Sequence, residues 1–142
     1  MSSVGDGIEA ERGNWKFSGE TTKTFDDHVR KSVPLYLEGH NLICDISDFF
    51  ISDNSIVYEV GCSTGTLMLK LAEHNKLKPG AFFVGVDIEE DMIAVAEKKK
   101  EADPESVNLN VEFRVEDILD TEMKQADMIV CYYAVQFIRP SE

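Results

Sequence analysis

Residues 57–67, VYEVGCSTGTL, carry an apolar, strand-like stretch into a turn marked by Gly61 and Gly65 and then into a helix-like stretch. Glycines at those places let a backbone bend sharply and approach a ligand with no Cβ in the way. The helix that follows offers N–H groups to an anionic group, and Ser63 or Thr64 is expected to cap it. Two glycines alone also fit a plain tight β–α turn, so the segments on either side decide the reading.

Working outward, residues 55–60 (SIVYEV) read as a buried strand and residues 64–74 as a helix. Residues 81–87 (AFFVGVD) are a second β-rich run, followed at 89–102 by a helix whose apolar face is Met92, Ile93, Val95 and Ala96. Residues 109–117 (LNVEFRVED) alternate as a strand does, and 126–137 (ADMIVCYYAVQF) form a last apolar run, read as a fourth, long strand. Upstream, Phe25, Val29 and Val33 recur every four residues over 22–33, which predicts an amphipathic helix. Pro34 interrupts it and fits an early position of the next helix, about 35–50. That helix is expected to turn Leu35, Leu42, Ile43, Ile46, Phe49 and Phe50 toward a sheet. Residues 1–13 lack periodicity and read as a flexible tail, with order expected from about Trp15 onward, so 14–142 form the single domain. Strands separated by helices imply a largely parallel sheet with right-handed crossovers, an α/β sandwich of Rossmann-like type preceded by N-terminal helices.

In such sheets ligands sit beyond the carboxyl ends of the strands. The second strand ends at Asp87, where a carboxylate either accepts from both hydroxyls of a ribose or caps the helix that begins near Glu89. The third strand ends in VEDI, 115–118. There Asp117 either accepts from an adenine amino group, with Ile118 against the base, or is one more surface acid in an acidic chain. GCSTGT places Ser63 where a dinucleotide fingerprint has its second glycine, and no Walker lysine is present. The ligand that fits has one adenosine and a small zwitterionic tail, the shape of S-adenosylmethionine.

Composition narrows the classes. A chain of 142 residues with 43% hydrophobic residues fits one domain with a core. The net charge of −13, from 27 acidic and 14 basic residues, argues against direct grip on a nucleic-acid backbone. No apolar run approaches the ~20 residues of a membrane span, and the first residues lack the basic and apolar parts of a signal peptide. A soluble, cytoplasmic protein is expected. Cys44, Cys62 and Cys131 have no CxxC spacing, so reduced thiols are expected and no metal site. His28, His40 and His74 fall on helical stretches, read as structural or solvated, and no general base is assigned.

The segments EVGCSTGTL, GVDIEEDMI, VEDI and IVCYYAVQFI together resemble the class I S-adenosylmethionine-dependent methyltransferases. NWKF, FDDHVRKSVPLY, GCSTG and QFIRPSE resemble, more narrowly, the carboxy-S-adenosylmethionine synthases, enzymes of that fold that serve tRNA wobble-uridine modification. The resemblance implies that Tyr36 closes over the cofactor from the N-terminal helices, or simply packs there. It further implies that Gly61, Cys62, Ser63 and Gly65 form the turn at the methionine end and that Glu59 orients the methionine amine. Asp87 would take the ribose, Asp117 and Ile118 the adenine, with Ile88 and Tyr132 also at the cofactor. Ile88 and Tyr132 stand where the synthases have asparagine, and the arginine that pairs with the extra carboxylate there would fall beyond residue 142. Tyr132 and Tyr133 are the candidates for lining the transfer site, with strand alternation turning one of them to the core. The family sheet has seven strands in the order 3-2-1-4-5-7-6. Four are present here, so the sheet is expected to be incomplete after strand four, its long apolar edge open to self-association as a homo-oligomer.

Overall fold

The computed structural model describes residues 9–11, 14–16 and 20–138, with side chains from residue 24 onward. In chain order the elements are β1 (Glu9–Glu11), β2 (Asn14–Lys16), α1 (Glu20–Ser32), α2 (Tyr36–Ser47), β3 (Ile56–Val60), α3 (Thr66–His74), β4 (Phe82–Asp87), α4 (Glu90–Ala102), β5 (Val111–Val115) and β6 (Met128–Val130), then a 3-10 turn at Val135–Phe137. The main sheet has the order β5-β4-β3-β6, and every pairing in it is parallel. This is the strand order 3-2-1-4 expected from the sequence. Most of the expected tail lies outside the described residues, but Glu9–Glu11 pair antiparallel with Asn14–Lys16 in a small hairpin.

β3 and β4 are interior strands covered on both faces, so nearly all their residues are buried without alternation. β5, at an edge, alternates: Val111 and Phe113 are buried while Glu112 is exposed. One face of the sheet sets Val57, Phe83, Val111, Phe113 and Val130 against Leu67, Met68 and Leu71 of α3 and Ile93 and Ala96 of α4. Met68 and Leu71 are fully enclosed, and each such burial contributes about 1.5–3 kcal/mol. The other face packs Tyr58, Val84 and Val86 against Met123 and Ala126 from the segment before β6. Lys124 N–H there donates to the Tyr58 hydroxyl at 3.2 Å.

Three expectations are corrected. α2 spans Tyr36–Ser47 rather than 35–50, and its buried residues are His40, Cys44 and Ser47. Leu35, Leu42, Ile46, Phe49 and Phe50 are exposed, and Ile43 packs at the margin of the core. The helix lies against α3 through a seam of small side chains. Ser47 Oγ donates to the Cys44 carbonyl at 2.6 Å and accepts from Asn75 Nδ2 at 2.9 Å, so a hydrogen-bonded join stands where the large apolar residues were expected. Pro34 does not begin α2: the chain turns, and Leu35 stands at the N-cap in a left-handed conformation, φ 58°. The fourth main-sheet strand is three residues long rather than the whole of 126–137. Tyr133 takes φ 55°, which an extended strand does not accommodate, and the chain bends there into the 3-10 turn.

Candidate functional site

Parallel register brings the ends of β5, β4 and β3 side by side. Asp87 pairs with Val115, Val60 pairs with Val86, and Glu116 N–H donates to the Asp87 carbonyl at 3.0 Å. Strands lie about 4.8 Å apart. The Gly61 turn, Asp87 and the segment at Asp117 therefore follow one another across the sheet edge at roughly the spacing of the parts of an adenosine.

The turn is built by constraints that small residues meet. Gly61 sits at φ 69° with an added Cβ 2.5 Å from Ala134 Cβ, and Gly65 at φ 74° with an added Cβ 2.7 Å from the Phe113 ring. Ser63 is also left-handed, φ 51°, an uncommon state that concentrates at functional loops. The N–H groups of Gly61 and Cys62 both donate to the Val86 carbonyl, at 2.8 and 3.0 Å, tying the turn to β4. The Cys62 side chain is turned into the core. Burial first, then the charges of Glu59 and Asp87, push its thiol well above the usual range, so it is an unreactive packing group. The expected side-chain cap of α3 is also corrected. Gly65 is the N-cap and no side chain caps the helix, because Thr64 Oγ1 donates instead to Asp26 at 2.6 Å.

Glu59 sits in the interior strand β3, opposite Gly85 on one side and Val130 on the other. It is 4% exposed, and its Oε2 has no hydrogen-bond partner. Burial, followed by the neighbouring Asp87 charge, pushes its carboxyl well above the usual range, with a backbone N–H from Met68 acting the other way. A buried acceptor without a donor costs about 1–3 kcal/mol. The residues therefore fit a ligand that brings an N–H or ammonium group to this oxygen.

Asp87 does not cap α4: Glu89 stands at the N-cap with no side-chain cap bond, and Asp87 Oδ1 instead closes a local turn by accepting from Glu89 N–H at 2.9 Å. Its Oδ2 accepts from Ser63 N–H at 2.8 Å, which joins it to the turn. Burial raises its pKa in spite of those backbone donors. Each oxygen has further lone-pair capacity, so bonds to a ribose remain open. Asp117 Oδ1 accepts from Leu119 N–H at 3.0 Å, and its carbonyl accepts from Thr121 Oγ1 at 2.8 Å. Ile118 is half-buried beside it and Ile88 is exposed.

A group of aromatic rings closes the side toward β6. The Tyr132 hydroxyl donates to the Tyr36 carbonyl at 3.1 Å, fixing the start of α2 to the chain after β6. Gly39 makes room for it, because a Cβ there would come within 1.9 Å of that hydroxyl. Tyr132 packs against the core while Tyr133 is 49% exposed, but both lie past the end of β6, so strand alternation is not what separates them. Burial, then the Glu59 charge, hold the Tyr36 phenol above its usual range. His40, fully buried, lies with its ring centroid 4.4 Å from that of Tyr36, and neither ring nitrogen has a partner. Burial lowers its pKa to about 4, with Lys70 and Arg30 acting in the same direction.

Sequence reasoning did not find Asp26, Thr66 or Lys99. Asp26 Oδ1 accepts from Thr64 and Thr66, and Lys99 forms an ion pair with Asp26 while donating to both threonines at 2.8 Å. These contacts fasten α1 to the turn and to α4. Burial works against the Asp26 carboxylate, but Lys99 and the threonines outweigh it and lower its pKa. The partners are 33 to 73 residues apart, and nothing in local periodicity reveals such a pairing. Among the described residues no group of three or more His, Cys, Asp or Glu is placed to hold a metal ion, and no helix is long and apolar enough to cross a membrane.

Residues 51–140 match the family model described as a methyltransferase domain. A carboxy-S-adenosyl-L-methionine synthase from Nautilia profundicola is 38% identical over 126 residues, which are 89% of this chain and 51% of that protein. The chain thus spans about half the length of the relatives it matches. A protein from Methanococcus maripaludis, described as a candidate S-adenosyl-L-methionine-dependent methyltransferase, superposes with a TM-score of 0.68 at 19% identity, covering 99% of this chain and 57% of its own. Coclaurine N-methyltransferase, crystallised with N-methylheliamine and S-adenosylhomocysteine, superposes with a TM-score of 0.54 at 26% identity, covering 67% of this chain and 26% of its own.

Proposed function

The chain belongs to the methyltransferase domain family, and we propose that it forms the cofactor-binding part of an S-adenosylmethionine-dependent methyltransferase. The observation that carries this reading is the orphaned, buried Oε2 of Glu59 beside the Gly61 turn. It is an acceptor waiting for a cationic nitrogen, at the place where an amino-acid tail would reach the sheet edge. In this reading Glu59 receives the methionine amine, the turn from Gly61 to Ser63 cradles that end, and Gly65 lets α3 start close behind it. Asp87 adds ribose hydroxyls to its backbone partners, Asp117 and Ile118 face the adenine, and Tyr36, Ile88 and Tyr132 complete the lining. Bound S-adenosylmethionine supplies a methyl group activated by its sulfonium for in-line displacement. The chain's own contribution is orientation and exclusion of water.

A second reading, synthesis of a carboxylated cofactor, is favoured by relatives named carboxy-S-adenosyl-L-methionine synthase at 32–38% identity, and the sequence resemblance attaches tRNA wobble-uridine modification to it. Against it, Tyr132 fills the position of a synthase asparagine with a phenol already engaged on Tyr36. A cytoplasmic setting, and no direct nucleic-acid contact by a segment of charge −13, belong to both readings. Calorimetric titration of S-adenosylhomocysteine into wild type and Asp87→Ala tests the proposal. Binding by wild type and a loss of tenfold or more in the variant support it, whereas equal binding by the two removes the ribose role of Asp87.

A further inference from the structure

Asp26 of α1, Thr64 of the turn, Thr66 at the start of α3 and Lys99 of α4 form a closed polar cluster. Thr64 Oγ1 donates to Asp26 Oδ1 at 2.6 Å, and Thr66 Oγ1 donates to the same oxygen at 3.2 Å. An ammonium group has three protons to give. Lys99 places them on Asp26 Oδ2 and on the two threonine hydroxyls. The cation has no donor left for a ligand, so any effect of the cluster on one passes through the turn. Thr64 is the link. It is 2% exposed and lies between Ser63 and Gly65, both left-handed at φ 51° and 74°. On its other side the turn is held by β4, where the Val86 carbonyl takes Gly61 and Cys62 N–H and Asp87 takes Ser63 N–H. α1 supplies a further hold. None of its side chains over residues 24–32 is fully buried, so apolar burial fastens it weakly and the charged contact at Asp26 carries more of its attachment.

We infer that Asp26 and Lys99 are positioning residues of the cofactor site. Through Thr64 and Thr66 they hold the turn in the shape that receives the amino-acid tail, and α1 acts as a strap whose fastening and ligand binding reinforce each other. The inference rests on the cofactor reading above and adds a coupling between that site and the N-terminal helix. Such coupling is reciprocal: the factor by which a fastened α1 tightens the ligand is the factor by which the ligand fastens α1. A purely architectural cluster would lower stability when broken and leave both quantities unchanged.

Calorimetric titration of S-adenosylhomocysteine is run on wild type, Asp26→Asn, Lys99→Met and the double variant, each at a temperature where circular dichroism shows it folded. Asp26→Asn keeps the shape of the side chain and an oxygen for the threonines, so its comparison with wild type decides even where Lys99→Met does not fold. Each single variant is expected to bind at least about fivefold more weakly than wild type, the lower end of usual coupling between sites. The double variant is expected to bind no more weakly than Lys99→Met, because removing the carboxylate also removes the charge that its lost cation left unpaired. In wild type the ligand is expected to slow amide hydrogen exchange over Glu20–Ser32 by a similar factor. Wild-type affinity in Asp26→Asn, losses that simply add in the double variant, or exchange in α1 that ignores the ligand overturns the coupling while leaving the cofactor reading intact. Failure of wild type to bind overturns the coupling and the cofactor reading together.

Discussion

Glu59→Gln keeps the shape of the side chain and an acceptor for Met68 N–H but removes the titrating group. In the wild type the folded-state pKa lies above the ordinary carboxylate value, by burial first and the Asp87 charge second. The folded state therefore holds the proton more tightly than the unfolded chain. Wild-type stability is undiminished by this group below the ordinary value of 4.5 and is lost as pH rises from there toward the folded value. Gln has no such dependence. Thermal and urea denaturation at pH 5 and pH 7.5 are expected to show the variant gaining on wild type at the higher pH, by up to about 1.4 kcal/mol per pH unit. Ligand affinity moves the opposite way. A hydrogen bond between a charged donor and this carboxylate is worth about 1.5–3 kcal/mol. Titration calorimetry of S-adenosylhomocysteine is then expected to record a loss of roughly 10- to 150-fold in the variant. A stability gap that does not change with pH refutes the buried, raised carboxyl, and unchanged affinity refutes its pairing with the ligand amine.

Leu35 occupies a left-handed conformation at the start of α2 and is 72% exposed, so it packs little in return for the strain. Leu35→Gly is expected to raise stability by about 1 kcal/mol, read as an upward shift of the thermal midpoint; a fall in the midpoint contradicts the strain argument. Lys99→Met removes the cation that joins Asp26 to Thr64 and Thr66, and a loss of about 1–2 kcal/mol is expected in urea denaturation. Since the Asp26 pKa is lowered, its contribution is present above the ordinary carboxylate value and fades as pH falls through the folded value. The gap between wild type and Lys99→Met should therefore close in acid, and a gap that is the same at pH 3 and pH 7 removes the ion pair as its cause.

The sheet was legible because its interior strands announce themselves. IVYEV and FFVGVD are nearly uniform apolar runs separated by helical patterns, and a buried parallel strand needs little else. The positions of Asp87 and Asp117 at the carboxyl edge of the sheet were legible for the same reason, since a strand end fixes where the next polar residue falls. What escaped was set by packing between distant segments. α2 carries enough apolar residues to suggest a greasy face, yet it packs through Cys44 and Ser47 because Asn75 of the facing segment supplies a hydrogen bond. The stretch after Val130 has strand-like composition, but Tyr133 turns left-handed and Tyr132 reaches across to Tyr36, 96 residues earlier. For Asp87 the sequence left a helix cap and a ribose contact as alternatives, whereas the structure shows its carboxylate accepting from Ser63 and Glu89 N–H and so joining the turns after β3 and β4.

Co-crystallisation of the chain with S-adenosylhomocysteine tests the central claim most directly. The account predicts the ribose hydroxyls within about 3 Å of the Asp87 carboxylate and the amine on Glu59 Oε2, with the adenine between Ile88 and Ile118. A ligand that leaves Glu59 Oε2 unpartnered, or that binds away from the carboxyl ends of β3, β4 and β5, contradicts it.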